Sequence, residues 1–337
     1  MKLSVVIPTY NRCAILEKTL AGLCNQAEPE HLHEVIIVSD GSTDNTSAVV
    51  EGFRGRLPIK FLPLTKSTVS ITRNTGLDRA KSPVVVFLDD DIVPSRQFLA
   101  EHAKFHQEFP APEAALLGYV TWSPENRISP FMRWYGEYGA LAAYSLIRGK
   151  GPISSRFLVT ANVSVKKEFA QRIGGFNPKL TVHEDYDFGY RLAAMGLKMY
   201  FRREAMGYHY QSFTFEQACL RCKRLSANVA PLLATNAGRE LLRRESRRSR
   251  RIIHGLARIP AAMFSPLLRF IDSDIVLPNT VYRLLYWDRA NRPYRLNYLR
   301  QGAATFTAKD SNSFAVKESR RGSQFSRGVV QRNNVSN

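Results

Sequence analysis

The acidic run that follows residues 84–88 constrains this chain more than any other feature. The five apolar residues VVVFL are typical of a buried parallel strand, and Asp89, Asp90 and Asp91 come where that strand should end. Like charges at a sheet edge repel one another and are costly to desolvate, so a divalent metal that carries a phosphate ester is a natural compensation. A solvated acidic turn, or the cap of a helix that begins near Pro94, is the structural alternative.

Strands and helices alternate through the first quarter of the chain. This alternation predicts βαβ units and a mostly parallel sheet, whose post-strand loops share one edge. Ligands of open α/β sheets bind at that edge, so the loops after the first, second and fourth strands should converge. Neither the Gly-x-Gly-x-x-Gly pattern nor the Walker lysine motif is present, which disfavours a nicotinamide enzyme or a P-loop NTPase. Strands are predicted at 3–7, 34–39, 59–62 and 84–88, and helices at about 15–23, 46–53 and 70–80.

The next part of the chain is less regular. It predicts a helix over 95–109, strands over 114–120 and 157–165, and a short strand over 198–201. Residues 121–151 are rich in aromatic side chains. Aromatic faces stack on sugar rings, but the amphipathic spacing favours core packing over an acceptor platform.

Five motifs in order resemble glycosyltransferase family 2 over roughly residues 1–215. The resemblance implies a GT-A fold, which is an α/β fold with a mostly parallel, Rossmann-like sheet flanked by helices. It also implies an inverting transfer from a nucleotide-sugar donor with a divalent metal, Mn²⁺ or Mg²⁺. The motifs are SVVIPTYNR (4–12), VSDGSTD (38–44), RNTG (73–76), FLDDD (87–91) and EDYDFGYRL (184–192).

The resemblance also assigns roles by position. By this resemblance, the contacts to the base and ribose come from the turn at Pro8, Thr9 and Tyr10, from Arg12 at the end of the first motif and from the carboxylate of Asp40. Arg73 resembles an arginine near the nucleotide. Asp89, Asp90 and Asp91 resemble the family's D-x-D signature, with Asp91 the direct metal ligand, Asp89 a second one and Asp90 closer to the ribose.

A second acidic site supplies the general base. An inverting transfer needs a carboxylate that takes the proton of the acceptor hydroxyl, and Asp185 is predicted to do this while Glu184 orients it or touches the acceptor. The alternative is a charged helix N-terminus that complements the helix dipole. His209 resembles the histidine that follows the last strand of the family, where it ligates the metal or touches the diphosphate. A purely structural histidine is the other interpretation.

The basic charge is concentrated at the C-terminal end. Residues 1–200 carry 23 Lys and Arg against 20 Asp and Glu, whereas residues 201–337 carry 25 against 9. We therefore predict a catalytic domain over 1–215, a helical basic extension over 216–302 and a disordered tail over 303–337. Eight arginines between 239 and 258 beside a short apolar run suit contact with an anionic membrane surface, against the alternative of packing on the catalytic domain.

The sequence thus favours a cytoplasmic transferase, peripheral on the inner face of the membrane, that adds one sugar to a saccharide or lipid-linked acceptor. A spanning helix is not indicated, and the Gln-x-x-Arg-Trp motif of processive synthases is missing. The alternatives are a metal-dependent nucleotidyltransferase and a non-catalytic nucleic-acid-binding protein that uses the arginines. Since the basic excess lies outside the motifs, no nucleic acid is expected as a partner. The single Cys-x-x-Cys, Cys219 to Cys222, has no second pair and favours reduced thiols over a zinc site.

Overall fold

The computed structural model of the protein describes residues 1–138, 143–244 and 261–291, and the single residues 293, 297, 300 and 301. Strands and helices alternate in the first part of the chain as the sequence predicts. The strands are β1 (Leu3–Thr9), β2 (Leu32–Asp40), β3 (Ile59–Leu64), β4 (Val84–Leu88), β5 (Ile92–Pro94), β6 (Ala114–Trp122), β7 (Asn162–Lys166) and β8 (Lys198–His209). The α-helices with complete bounds are α1 (Cys13–Cys24), α2 (Thr46–Phe53), α3 (Val69–Arg79), α4 (Phe98–Glu108), α5 (Pro130–Glu137), α6 (Lys167–Arg172), α7 (Glu184–Ala194), α8 (Phe215–Ala227), α9 (Ala230–Leu233) and α10 (Asn279–Tyr286).

The strands of the described chain form one sheet in the order β3-β2-β1-β4-β7-β6-β8-β5. The first four strands are parallel and their central members are apolar on both faces, as expected where helices cover both sides. Strand β1 continues past Pro8, where the sequence predicted a break. On one side of β1, the pairing with β4 ends at Val6. Pro8 therefore has a strand neighbour on the β2 side alone, which is where proline is tolerated.

The second half of the sheet is mixed. Strand β7 runs antiparallel to both β4 and β6, β8 runs parallel to β6, and β5 pairs antiparallel with β8. Of the seven pairings in the described residues, four are parallel, so the sheet is mostly parallel by a small margin.

Three strands differ from the predicted ones. Strand β7 starts at Asn162 rather than at 157, since it pairs with β4 only up to Leu88. Strand β8 runs to His209 instead of ending at 201, with a register shift opposite Gly118 and Tyr119. The short β5, Ile92–Pro94, was not predicted, because its proline suggested a helix start instead.

The aromatic segment packs in the protein core. Strand β6, helices α5, α8 and α10 and the residues between them share an apolar cluster that includes Trp122, Phe131, Trp134, Phe215 and Tyr282. The preference for core packing over an acceptor platform is confirmed for Trp122, Phe131 and Trp134 of residues 121–151, whereas Tyr138 is 47% exposed. Helix α10 and the 3₁₀ helix Ala261–Phe270 thus rest on the catalytic part through the same cluster.

Other predictions for the C-terminal part fall partly outside the described residues. Most of the arginine block, over residues 245–258, and the predicted tail, over 303–337, lie there. Within the described chain, no helix has the length and apolar character needed to cross a membrane. All four cysteines are free, and Cys222 lies in the aromatic cluster with its Sγ 2.9 Å from the hydroxyl of Tyr286. The division into domains stays a prediction.

Candidate active site

The carboxyl ends of β1, β2 and β4 border a cavity of about 960 Å³. The N-terminus of α7, the end of β8 and one face of α8 complete its wall. The structure therefore brings the separate sequence motifs to one place, while the role of each residue stays a prediction. All the predicted site residues line this cavity: Pro8, Thr9, Tyr10, Arg12, Asp40, Arg73, Asp89, Asp90, Asp91, Glu184, Asp185 and His209.

Arg12 ties the end of β1 to the acidic run. Its guanidinium donates to Asp90 Oδ1 at 2.9 Å and to Asp91 Oδ2 at 2.6 Å. The hydroxyl of Thr9 donates a further hydrogen bond to Asp90, over 2.8 Å. The intervening Asn11 has a φ of 50°, a left-handed conformation that asparagine tolerates better than most residues. The turn after β1 thus supplies the charge and the hydrogen bonds that keep two buried carboxylates together.

The carboxyl groups of Asp90 and Asp91 have opposite pKa shifts. Burial raises the pKa of Asp90 to about 7, because the attraction of Arg12 offsets only part of the desolvation and Asp91 adds repulsion. Burial alone would raise the pKa of Asp91 too, but the hydrogen bond and charge of His209, together with Arg12, lower it to about 2. Asp91 is therefore the fully ionised member of the pair at neutral pH.

His209 reaches Asp91 through the pairing of the two edge strands. Ile92 of β5 lies opposite His209 of β8, and the imidazole Nε2 is 3.1 Å from Asp91 Oδ2. The imidazole ring also stacks on Trp122, with ring centroids 5.3 Å apart and 13° between the planes. The other ring nitrogen, Nδ1, is buried and has no hydrogen-bond partner among the described residues. His209 is thus fixed beside Asp91, whose pKa is lowered to about 2.

The pair of Asp91 and His209 fits a divalent cation. A carboxylate oxygen and an imidazole nitrogen are ligands that Mn²⁺ accepts, and such a site takes further oxygens from a bound phosphate. Asp89 does not join Asp91 and His209, since its carboxylate accepts a hydrogen bond from the guanidinium of Arg73. Among the described residues, the one group of three side chains close enough together to hold a metal ion is Glu28, Glu30 and His31, which lies outside the cavity. The predicted set of three ligands is therefore assembled only in part.

Arg73 links the acidic run to α7. The buried guanidinium donates to Asp89 Oδ1 at 2.9 Å and to Glu184 Oε1 at 2.7 Å. Helix α3 carries this arginine and lies very close to β1: a Cβ added at Gly76 would be 2.2 Å from Cγ1 of Val6. This close packing places a single cation between two carboxylates that come from distant parts of the sequence.

Asp185 is half-buried in the first turn of α7. One carboxylate oxygen accepts a hydrogen bond from the backbone N–H of Tyr186, over 2.7 Å. Burial and the negative charge of Glu184 raise the pKa of Asp185 to about 7, although Arg73 opposes the shift. The positive end of the helix dipole favours the charged carboxylate, so it does not cause the upward shift, which comes first from burial. A carboxylate that titrates near neutral pH is suited to accept and return a proton.

The opposite end of the cavity has a flat ring beside a carboxylate. Asp40 accepts hydrogen bonds from Lys66 Nζ at 2.8 Å and from the backbone N–H and hydroxyl of Ser67, both at 2.7 Å. Burial alone would raise the pKa of Asp40, but these bonds lower it. The Lys66 ammonium also lies 3.3 Å from the centroid of the Tyr10 ring. A stacking face next to a fixed carboxylate suits a nucleoside.

Among the Lys and Arg side chains of the cavity, three were not predicted from the sequence: Lys66, Arg156 and Arg221. Lys66 follows β3 at the same sheet edge, so the rule that selected the other loops also applies to it. Arg156 lies on the 3₁₀ helix Ser155–Phe157, in a segment predicted as strand. Arg221 lies on α8, where the resemblance has faded. For these two arginines the sequence holds no signal.

A comparison with known proteins decides the family. The model of glycosyl transferase family 2 matches residues 4–174. This chain belongs to that family. A relative, the validoxylamine A glucosyltransferase of Streptomyces hygroscopicus subsp. jinggangensis, is 33% identical over an alignment of 239 positions that covers 61% of this chain and 54% of the relative. The chain spans about half the length of the first curated relatives that it matches.

Solved structures show the fold. Staphylococcus aureus TarS 1–349 in complex with UDP-GlcNAc superposes with a TM-score of 0.54 at 18% identity, covering 91% of this chain and 92% of that one. The mannosyltransferase PcManGT from Pyrobaculum calidifontis, in complex with GDP-Man and Mn²⁺, gives a TM-score of 0.53 at 18% identity, covering 94% and 79%. The predicted GT-A fold is confirmed. Family membership favours sugar transfer over the nucleotidyltransferase and nucleic-acid-binding alternatives.

Proposed function

We propose that this family 2 member transfers one sugar, with inversion, from a nucleotide-sugar donor to the hydroxyl of a saccharide or lipid-linked acceptor. The observation that carries the proposal is Asp185, a cavity carboxylate whose pKa lies near 7. In its ionised form this carboxylate takes the proton as the acceptor oxygen attacks the anomeric carbon. Glu184, held by Arg73, keeps the N-terminus of α7 in place beside it.

The donor binds along the sheet edge in this proposal. Tyr10 and Asp40 hold the base and ribose, and Arg73 and the acidic run lie beside the nucleotide. The similar structures named above contain UDP-GlcNAc in one case and GDP-Man in the other, which supports a nucleotide-sugar donor without selecting its base. The absence of the Gln-x-x-Arg-Trp motif supports addition of a single sugar.

Asp91 and His209 would hold the divalent cation. When bound, the cation supplies positive charge that stabilises the departing diphosphate. The Mn²⁺ in the complex of the Pyrobaculum mannosyltransferase supports this assignment. Arg12 donates to Oδ2 of Asp91, the same oxygen that faces His209, and so it helps to keep the carboxylate ionised and in place.

The C-terminal part places the enzyme at a membrane in this proposal. Its basic excess matches anionic head groups, and an exposed apolar pair, Ile275 and Val276, lies between Arg269 and Arg283. Such a position, on the inner face of the membrane, suits a role in cell-surface glycan or glycolipid assembly.

Thermal stabilisation tests the donor and metal sites together. Nucleoside diphosphates and nucleotide sugars are added with and without Mn²⁺ to the wild type, to Asp91→Asn and to Asp78→Asn, an exposed aspartate outside the cavity. A ligand at a hundredfold excess over its Kd stabilises the folded state by roughly 2.7 kcal/mol, which is easily measured. We expect one base to stabilise the wild type and Asp78→Asn in the presence of Mn²⁺, and Asp91→Asn to lose the effect. No stabilisation by any nucleotide would contradict the proposal.

A further inference from the structure

The cavity is lined by six carboxylates and by five Lys or Arg side chains, and two of these five cations pair with no carboxylate among the described residues. Arg12, Lys66 and Arg73 each form a salt bridge to a carboxylate of the cavity wall. Arg156 and Arg221 also line the cavity, but neither side chain makes a salt bridge or hydrogen bond to any described residue. Two exposed arginines at the cavity are therefore available to a ligand.

Both arginines lie on elements that neighbour α7. The 3₁₀ helix Ser155–Phe157 packs on α7 so closely that a Cβ added at Gly189 would lie 2.9 Å from the Ser155 carbonyl oxygen. Arg156 itself stacks on Phe157, with 4.5 Å between the guanidinium carbon and the ring centroid. This contact places the guanidinium beside another residue of the cavity wall.

Arg221 approaches the same helix from α8. Burial lowers the pKa of His183, Glu184 opposes this shift and the charge of Arg221 adds to it. The guanidinium is therefore within electrostatic reach of the residue that precedes Glu184 and Asp185. Its neighbour on the next turn of α8, Leu225, lines the cavity as well, so this face of the helix belongs to the wall.

We propose that the acceptor is anionic and that Arg156 and Arg221 bind its phosphate or carboxylate group next to Asp185. Guanidinium forks bind both oxyanions through paired, charge-assisted hydrogen bonds. In the proposed function the donor diphosphate binds at the cation held by Asp91 and His209, while Arg12 and Arg73 are already paired with carboxylates of the cavity wall. The two unpaired arginines are thus left for the second substrate. This inference rests on the proposed function, because it assigns the acceptor side of the same cavity.

Calorimetry on the full chain tests the charge of the acceptor. Binding of glucose 6-phosphate, glucuronate and methyl glucoside is measured with the donor side saturated by Mn²⁺ and the nucleoside diphosphate that stabilises the protein. If no nucleotide stabilises it, the sugars are measured alone, so failure of the proposed function is seen separately. We expect at least one charged sugar to bind with an affinity at least about tenfold above the neutral one. Comparing the two charged sugars identifies whether phosphate or carboxylate is preferred.

Arg156→Gln and Arg221→Gln should each weaken the charged sugar about tenfold and leave both the nucleotide affinity and the melting temperature unchanged. Arg224→Gln is the matched control, since Arg224 is exposed on the same helix and does not line the cavity. The proposal is overturned if charged and neutral sugars bind alike, or not at all, or if the two cavity variants behave as the control does. It is also overturned if those variants lose the nucleotide, because the arginines then serve the donor.

Discussion

At the scale of single residues, Asp185 has the most specific proposed chemical role. Its pKa of about 7 lies far above the usual value of an aspartate because the carboxylate is desolvated next to Glu184. A raised pKa means that the folded state prefers the protonated form. The stability that this preference contributes is fully present at low pH and is lost as the pH rises through 7. The ionised form of Asp185 is the one proposed for catalysis, whereas the protonated form is the one that stabilises the fold.

The first prediction follows from that opposition. Asp185→Asn should lower the rate of sugar transfer by a factor on the order of 10² to 10⁴, the usual contribution of a general base. Its melting temperature at pH 8 should equal or exceed that of the wild type, because the variant removes a desolvated charge. The wild-type rate should rise with pH and level off above about 7. Release of nucleoside diphosphate and thermal unfolding, measured from pH 5 to 9, check both effects.

A loss of stability in Asp185→Asn at pH 8 would show instead that the carboxylate is structural. Asp187→Asn serves as a comparison on the same helix, because Asp187 is buried and forms a salt bridge to Arg191 over 2.7 Å. That variant should lose stability.

The residues of the site were predictable as a set, but their partners were not. The sequence shows three aspartates in a row, yet it does not show that Arg12 bridges two of them while Arg73 takes the third. The opposite pKa shifts of Asp90 and Asp91 arise from burial and from His209, which is 118 positions away from Asp91. Ion pairs between distant segments depend on tertiary packing, which a local pattern does not encode.

At the scale of elements, the apolar parallel strands were the most predictable. A continuous run such as that of β4 allows little besides a buried strand. Strand β8 was harder, because its middle contains Arg202, Arg203 and Glu204 and has no regular alternation. Its full length matters for function, since only its last residues bring His209 to Asp91.

The packing of α3 on β1 leads to a second prediction, in which two glycine-to-alanine substitutions change the stability of the protein in opposite directions. Gly76→Ala should destabilise the protein by about 1–3 kcal/mol, because the new Cβ clashes with Val6 and forces α3 away from the sheet. Gly52→Ala in α2 should stabilise it by about 0.4–1 kcal/mol, since nothing lies within 4 Å of the added carbon and the helix gains an alanine. Urea unfolding of the two variants measures both changes. Equal effects at the two positions would contradict the close contact at Gly76.

At the scale of the whole molecule, the described C-terminal part packs on the catalytic part. Helix α8 lines the cavity on one face, while its other residues join α5 and α10 in the aromatic cluster. Of the two interpretations of the basic extension that the sequence left open, the structure shows the packing, and membrane contact stays a prediction. Packing on the catalytic part is observed for residues 261–291, and it leaves Ile275 and Val276 at the surface, 49% and 77% exposed.

The final prediction concerns membrane contact at this surface. The full chain should float with vesicles that contain anionic lipid at physiological salt, and it should float less as the salt concentration rises, because screening weakens the attraction of the basic part. The double variant Ile275→Asp and Val276→Asp should reduce flotation, since it replaces apolar surface with negative charge beside the lipid. Met195→Asp is the control: Met195 is 51% exposed at the end of α7, in the catalytic part, and its replacement should change nothing. If the wild type stays at the bottom of the gradient, the basic extension serves the catalytic unit alone.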